Sequence, residues 1–175
     1  DGDYVLMGAT KGEEAGGSAD DTGVAYVFRK QTSGASAGLY TQLQKLLPPS
    51  PGAGWNYGRR TALYGKYAAV TSDGPSATGV VYLYRSGSGG ATHWTLDHSL
   101  HLDDSAFSGL GLVRQASEYF PSALGMYGTR LVLGAAQEDD SVGILTNSAQ
   151  ATNETQKTDD GVVMVMDSSS AGWGC

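Results

Sequence analysis

The stretch GDYVLMGA at Gly2 to Ala9 returns as GKYAAVTS at Gly65 to Ser72 and again as GTRLVLGA at Gly128 to Ala135. After a polar stretch of variable length, each copy is followed by a glycine and an apolar run: GVAYVF from Gly23, GVVYLY from Gly79 and GVVMVM from Gly161. Gly2, Gly65 and Gly128 lie 63 residues apart each time, although the loops between them change length in opposite directions. Fixed intervals within elements and free intervals between them mark one supersecondary unit repeated on a common frame.

Each unit reads as a four-stranded antiparallel sheet, best seen in the second. The pattern predicts strands over Arg59 to Tyr64, Lys66 to Thr71, Val80 to Arg85 and Trp94 to Leu100. The turns between them are rich in glycine, as hairpins require. In the third strand Val80, Tyr82 and Tyr84 alternate with Val81 and Leu83, so both faces are apolar and both should be covered. The fourth strand, YTQLQKL from Tyr40 or WTLDHSL from Trp94, mixes polar and apolar residues and suits a wet outer edge. Sheets stacked face to face, with buried inner strands and polar outer edges, describe propeller blades better than a barrel. No helical periodicity appears. The expected fold is all-β, with about three four-stranded antiparallel blades of an incomplete ring: residues 1–56, lacking the first strand, 57–118, complete, and 119–175. The last strand of the third blade only begins, at Trp173, which matches Trp94 and Tyr40.

The order of elements resembles the FG-GAP repeat of integrin-alpha-type β-propellers. Tyr57-Gly58 and Phe120-Pro121 stand at the Phe-Gly position, and Gly8-Ala9 and Gly134-Ala135 at the Gly-Ala position. Two departures stand out: Thr71-Ser72 replaces Gly-Ala in unit two, and Pro121 replaces the glycine in unit three. The resemblance implies an extracellular or cell-surface propeller that binds other proteins without catalysing a reaction. Such repeats often carry a calcium loop between strands one and two. Here those hairpins read Tyr64-Gly65-Lys66 and Tyr127-Gly128-Thr129, with no carboxylate for a hard cation, and only Asp1 and Asp3 offer oxygens in unit one. Acidic clusters fall instead between strands two and three, at Glu13-Glu14, Asp20-Asp21, Glu138-Asp139-Asp140 and Asp159-Asp160. They could recruit calcium weakly but lack the alternating spacing of a dedicated loop, so a solvated acidic loop is the expected role.

Composition fits a secreted all-β module, with 26 glycines, 17% charged residues and a net charge of −7. The acidic balance speaks against nucleic acid as a partner, and no apolar run is long enough for membrane insertion as a helix. Asn153-Glu154-Thr155 is a glycosylation sequon in a long loop. Cys175, the single cysteine, is expected to pair outside this stretch. Catalysis finds little footing. His98 on an extended strand faces away from His93 and His101, and Asp97, His98 and Ser99 point to alternate faces and cannot form a relay.

The reading therefore expects a piece of a longer protein, whose remaining blades come from the same or another chain, because rings use about four to eight. Recognition of a protein or glycan ligand is expected on the loops Lys11 to Thr22 and Gln137 to Asp160, which leave the same rim; a third long loop spans Asp103 to Tyr119. A lectin-like propeller is the alternative, with Trp55, Tyr119 and Trp94 open to solvent as its signature. A scaffold for a larger extracellular enzyme is the second alternative.

Overall fold

The computed structural model describes residues 2–12, 21–74, 79–87, 93–101, 119–136, 144–145, 162–169 and 172–174. These form twelve strands and, among the described residues, no helix. Sheet 1 runs in the order β1 (Tyr4–Ala9), β2 (Val24–Lys30), β3 (Tyr40–Leu46). Sheet 2 runs β4 (Thr61–Tyr64), β5 (Tyr67–Ser72), β6 (Val80–Ser86), β7 (Trp94–Leu100). Sheet 3 runs β8 (Tyr119–Tyr127), β9 (Arg130–Ala136), β11 (Val162–Ser169). The far edge of β11 is shared by β12 (Gly172–Gly174), antiparallel, and β10 (Ile144–Leu145), parallel.

Sheet 2 lies between the other two. One apolar layer joins Ala25, Val27 and Leu46 of sheet 1 to Ala68, Val70, Val80, Tyr82 and Tyr84 of sheet 2. The other joins Ala69, Val81, Leu83 and Leu100 of sheet 2 to Leu131, Leu133, Met164 and Met166 of sheet 3. This explains why β6 is apolar on both faces: Val80, Val81 and Leu83 are fully buried, the even residues in one layer and the odd ones in the other. Burial of each large apolar side chain contributes about 1.5–3 kcal/mol. The edge strands β1, β4 and β8 of the three sheets are neighbours, β4 touching both β1 and β8.

The strand boundaries shift where local chemistry intervenes. The first strand of sheet 2 starts at Thr61 rather than Arg59 because the chain wraps around Thr71. Gly58 and Arg59 both donate to the Thr71 carbonyl, and the Arg60 amide donates to its Oγ1 at 3.0 Å. Gly58 makes the turn possible with φ of +89°. In sheet 3, Phe120-Pro121 lies inside β8 instead of preceding it, and the register against β9 breaks between Tyr119 and Ala123. An edge strand accommodates a proline this way. The two-residue parallel strand β10 falls in a loop where the sequence predicts no strand.

Candidate functional site

The repeat can be placed atom by atom. Gly65 and Gly128 take φ of +54° and +62° as the first turn residues of the β4–β5 and β8–β9 hairpins, and Gly2, at the equivalent position before β1, takes φ of +56°. Positive φ at the first position alone gives the II′ geometry that matches strand twist. Beside each turn the same backbone bond recurs: Lys30 N to Asp3 O at 2.7 Å, Ser86 N to Lys66 O at 2.8 Å, and Ser168 N to Thr129 O at 2.8 Å. Tyr4 faces Arg29 across β1 and β2, Tyr67 faces Arg85 across β5 and β6, and each guanidinium lies over its tyrosine ring, at 5.9 and 5.7 Å. In sheet 3 the equivalent pair is Arg130 and Asp167, joined by two N–H···O bonds of 3.0 and 3.1 Å. That pairing holds the Arg130 guanidinium above its ordinary pKa. The Tyr67 hydroxyl accepts a hydrogen bond from Ser168 of sheet 3, which lowers its pKa, with Lys66 and Arg85 adding to the effect.

The motif glycines meet between sheets 1 and 2. A β-carbon on Gly8 would overlap the carbonyl of Gly58, and one on Gly58 would lie 2.6 Å from Val24 O and 3.0 Å from the Gly8 α-carbon. Ala9 N lies 3.0 Å from the same point. Gly23 is pressed against the Tyr57 backbone in the same way, next to a bond from Tyr57 N to Thr22 O of 2.9 Å. The Gly-Ala and aromatic-Gly positions are thus the two sides of one backbone contact between neighbouring sheets. Counting 63 residues on, Gly8 becomes Thr71 and Gly58 becomes Pro121. Both glycines of the contact are thus replaced together one repeat on in the sequence. Gly134 recovers the glycine on the outer face of sheet 3, where the nearest atoms to an added β-carbon would be Ala123 Cβ at 3.2 Å, Ser122 Oγ at 3.3 Å and Ala123 N at 3.5 Å, all of its own sheet. Ala135 follows it in β9, opposite Val162.

At the first junction the buried hydroxyls of Tyr57 and Tyr84 are paired, whereas the buried Nε1 of Trp94 has no hydrogen-bond partner among the described residues. Tyr57 and Tyr84 share a hydroxyl contact of 2.6 Å, and the Tyr84 hydroxyl donates to Leu47 O at 3.2 Å, so Tyr57 is the donor to Tyr84. Burial pushes the Tyr84 phenol up to about 12, and burial with the Tyr84 contact pushes Tyr57 well above its ordinary value. Trp94 is only 2% exposed and stands edge-on to Tyr4 at 6.0 Å. It is therefore a core residue and not a solvent-open platform, which corrects the sequence expectation: the residue that opens β7 points into the apolar layer between sheets 1 and 2. Trp55 is half-buried, with Gly52 against its indole edge. Only the backbone of Tyr119 is described.

Of the acidic residues singled out in the loops, Asp21 is placed. It pairs with Lys11 at 2.6 Å and takes φ of +57°. Asp20, Asp139, Asp140, Asp159, Asp160, Asn153 and Cys175 lie outside the described residues. Among the described residues no three His, Cys, Asp or Glu side chains gather to hold a metal ion.

One surface feature escaped the sequence reading. Tyr64 and Tyr127, the residues before the turn glycines of sheets 2 and 3, bring their rings to 4.9 Å at an angle of 57°. Tyr127 is 77% exposed. Their spacing of 63 residues was the available signal, since equivalent positions of stacked sheets are neighbours in space. Compared with family models, curated proteins and solved structures, the chain matches none.

Proposed function

We propose that the three sheets are consecutive blades of an FG-GAP-type β-propeller and that the chain is a non-catalytic, extracellular module for protein–protein interaction or assembly. The observation that carries this reading is the meeting of Gly8-Ala9 with Tyr57-Gly58 between sheets 1 and 2. The motif residues of the resemblance occupy positions where their small size has a geometric reason. Loops held on such a scaffold are suited to recognition rather than to chemistry. The test is a solid-phase binding assay of the chain against a panel of extracellular matrix proteins, before and after enzymatic deglycosylation of the panel. Saturable binding that survives deglycosylation is expected. No binding to any member overturns the reading.

A lectin-like role is the second reading, and the exposed Tyr64–Tyr127 pair is what favours it. Binding confined to glycosylated panel members and abolished by Tyr127→Ala would establish it over the first.

A further inference from the structure

The contact between Tyr64 and Tyr127 joins two sheets through oxidisable rings. Tyr64 closes β4 and Tyr127 closes β8, so each stands immediately before the turn glycine of its hairpin. The two hairpins belong to neighbouring sheets, and the rings lie 4.9 Å apart at 57°. At this centroid separation the ring edges are in van der Waals contact. A small rotation about the side-chain bonds then brings a carbon beside each hydroxyl to the near-attack separation of about 3–3.5 Å.

Both rings reach solvent. Tyr127 is 77% exposed. Tyr64 is the more telling of the two: sheet 2 is packed on both faces, yet Tyr64 keeps part of its surface in water. A tyrosine at this turn position therefore stays accessible at a completed junction. Access matters because a phenol that loses an electron also releases its proton, and water has to receive it. Tyr57 and Tyr82 also bring their rings together, at 5.4 Å, but they are 0% and 5% exposed, and burial holds both phenols above their ordinary pKa. Counting 63 residues back from Tyr64 gives Asp1, so the repeat supplies the turn pair to the second junction and not to the first.

We infer that Tyr64 and Tyr127 form an oxidative cross-linking site, at which a one-electron oxidant of the peroxide-driven haem peroxidase class makes a dityrosine bridge between sheets 2 and 3. Each phenol gives up one electron and one proton to become a phenoxyl radical, and the two radicals join by one carbon–carbon bond ortho to the hydroxyls. Two ring protons then move to the oxygens and restore both phenols, so the chain loses two hydrogen atoms in all. One hydrogen peroxide takes up those two electrons and two protons and leaves as two waters. The bridge closes the chain between the two turns into a covalent loop, which restricts the unfolded state as a disulfide does. The inference is independent of the binding role.

Treatment of the 175-residue chain with a haem peroxidase and hydrogen peroxide, at micromolar protein, tests it. Rings held together on one molecule meet at an effective concentration of about millimolar or more, so coupling within the chain should outrun coupling between chains by about a thousandfold. The expected products are blue dityrosine fluorescence, an intact mass lower by two hydrogens without a species of double mass, and a cross-linked peptide pair containing Tyr64 and Tyr127. Tyr127→Phe, which removes only a hydroxyl from an exposed ring, should abolish all three. Tyr40→Phe, at a tyrosine 46% exposed on β3, should leave them unchanged. No dityrosine, dityrosine that survives Tyr127→Phe, or a bridge mapped to Tyr40 or between molecules overturns the inference.

Discussion

The side chain of Gln44, on the outer strand of sheet 1, bonds the backbone of Trp94, on the outer strand of sheet 2, in both directions. Its Nε2 donates to Trp94 O at 2.8 Å, and its Oε1 accepts from Trp94 N at 2.7 Å. A side-chain amide thus completes, between sheets, the pairing that a neighbouring strand would give within one. Gln44→Leu should cost about 1–3 kcal/mol, because it leaves a partly buried donor and acceptor without partners. Urea unfolding of the variant against the parent chain measures this.

Tyr84 stands in the middle of a hydroxyl chain and Tyr57 at its end. Tyr84→Phe strips Leu47 O of its donor and Tyr57 of its acceptor, whereas Tyr57→Phe removes one donor and leaves Tyr84 bonded to Leu47. The first should destabilise by about 1–3 kcal/mol and the second by about 0.5–1.5 kcal/mol. Thermal denaturation of the two variants side by side checks the order. Equal effects would contradict the assigned donor direction.

The same tyrosines set an alkaline limit. Below the ordinary phenol value of 10 they are neutral in folded and unfolded chains alike, so their contribution is constant there. Above it the unfolded chain releases phenolic protons that folded Tyr84 keeps until about 12. Stability should therefore fall as pH rises from 10, by about 1.4 kcal/mol per pH unit for each retained proton. Denaturant midpoints measured at pH 9, 10, 11 and 12 should show this slope, and it should be shallower in Tyr84→Phe.

Adding one methyl group separates the repeat glycines. Gly8→Ala would drive a β-carbon into the Gly58 carbonyl of the neighbouring sheet and should cost at least about 3 kcal/mol, since backbone on both sides has to move. Gly134→Ala meets contacts of 3.2 and 3.3 Å within its own sheet and should cost about 1 kcal/mol or less. Chemical denaturation of the two variants distinguishes them.

Much of the architecture was legible in the chain. The two-sided apolarity of Val80 to Tyr84 required cover on both faces, and sheets 1 and 3 provide it. The turn glycines announced the hairpins, because a II′ turn admits little else at that position. Trp94 was harder to read, since a tryptophan opening a polar strand has the same sequence signature whether it points out or in. Its burial depends on Gln44, 50 residues earlier, holding its backbone against sheet 1. The tight wrap at Thr71 and the two-residue parallel strand β10 depend on individual hydrogen bonds and on distant edges, which periodicity does not encode. The Tyr64–Tyr127 contact was written in the spacing but becomes visible only when the units are overlaid.

The joint replacement of Gly8 and Gly58 by Thr71 and Pro121 one repeat later has a consequence for grafting experiments. The transferable module in this chain is not a sheet but a seam, half of it drawn from each of two neighbours. A whole unit moved to a new position would carry the wrong half-seam on at least one side: a threonine facing a glycine, or a glycine facing a proline. Chimeras cut through the middle of a sheet, so that both lips of every seam travel together, should keep their fit where chimeras cut at the loops lose it.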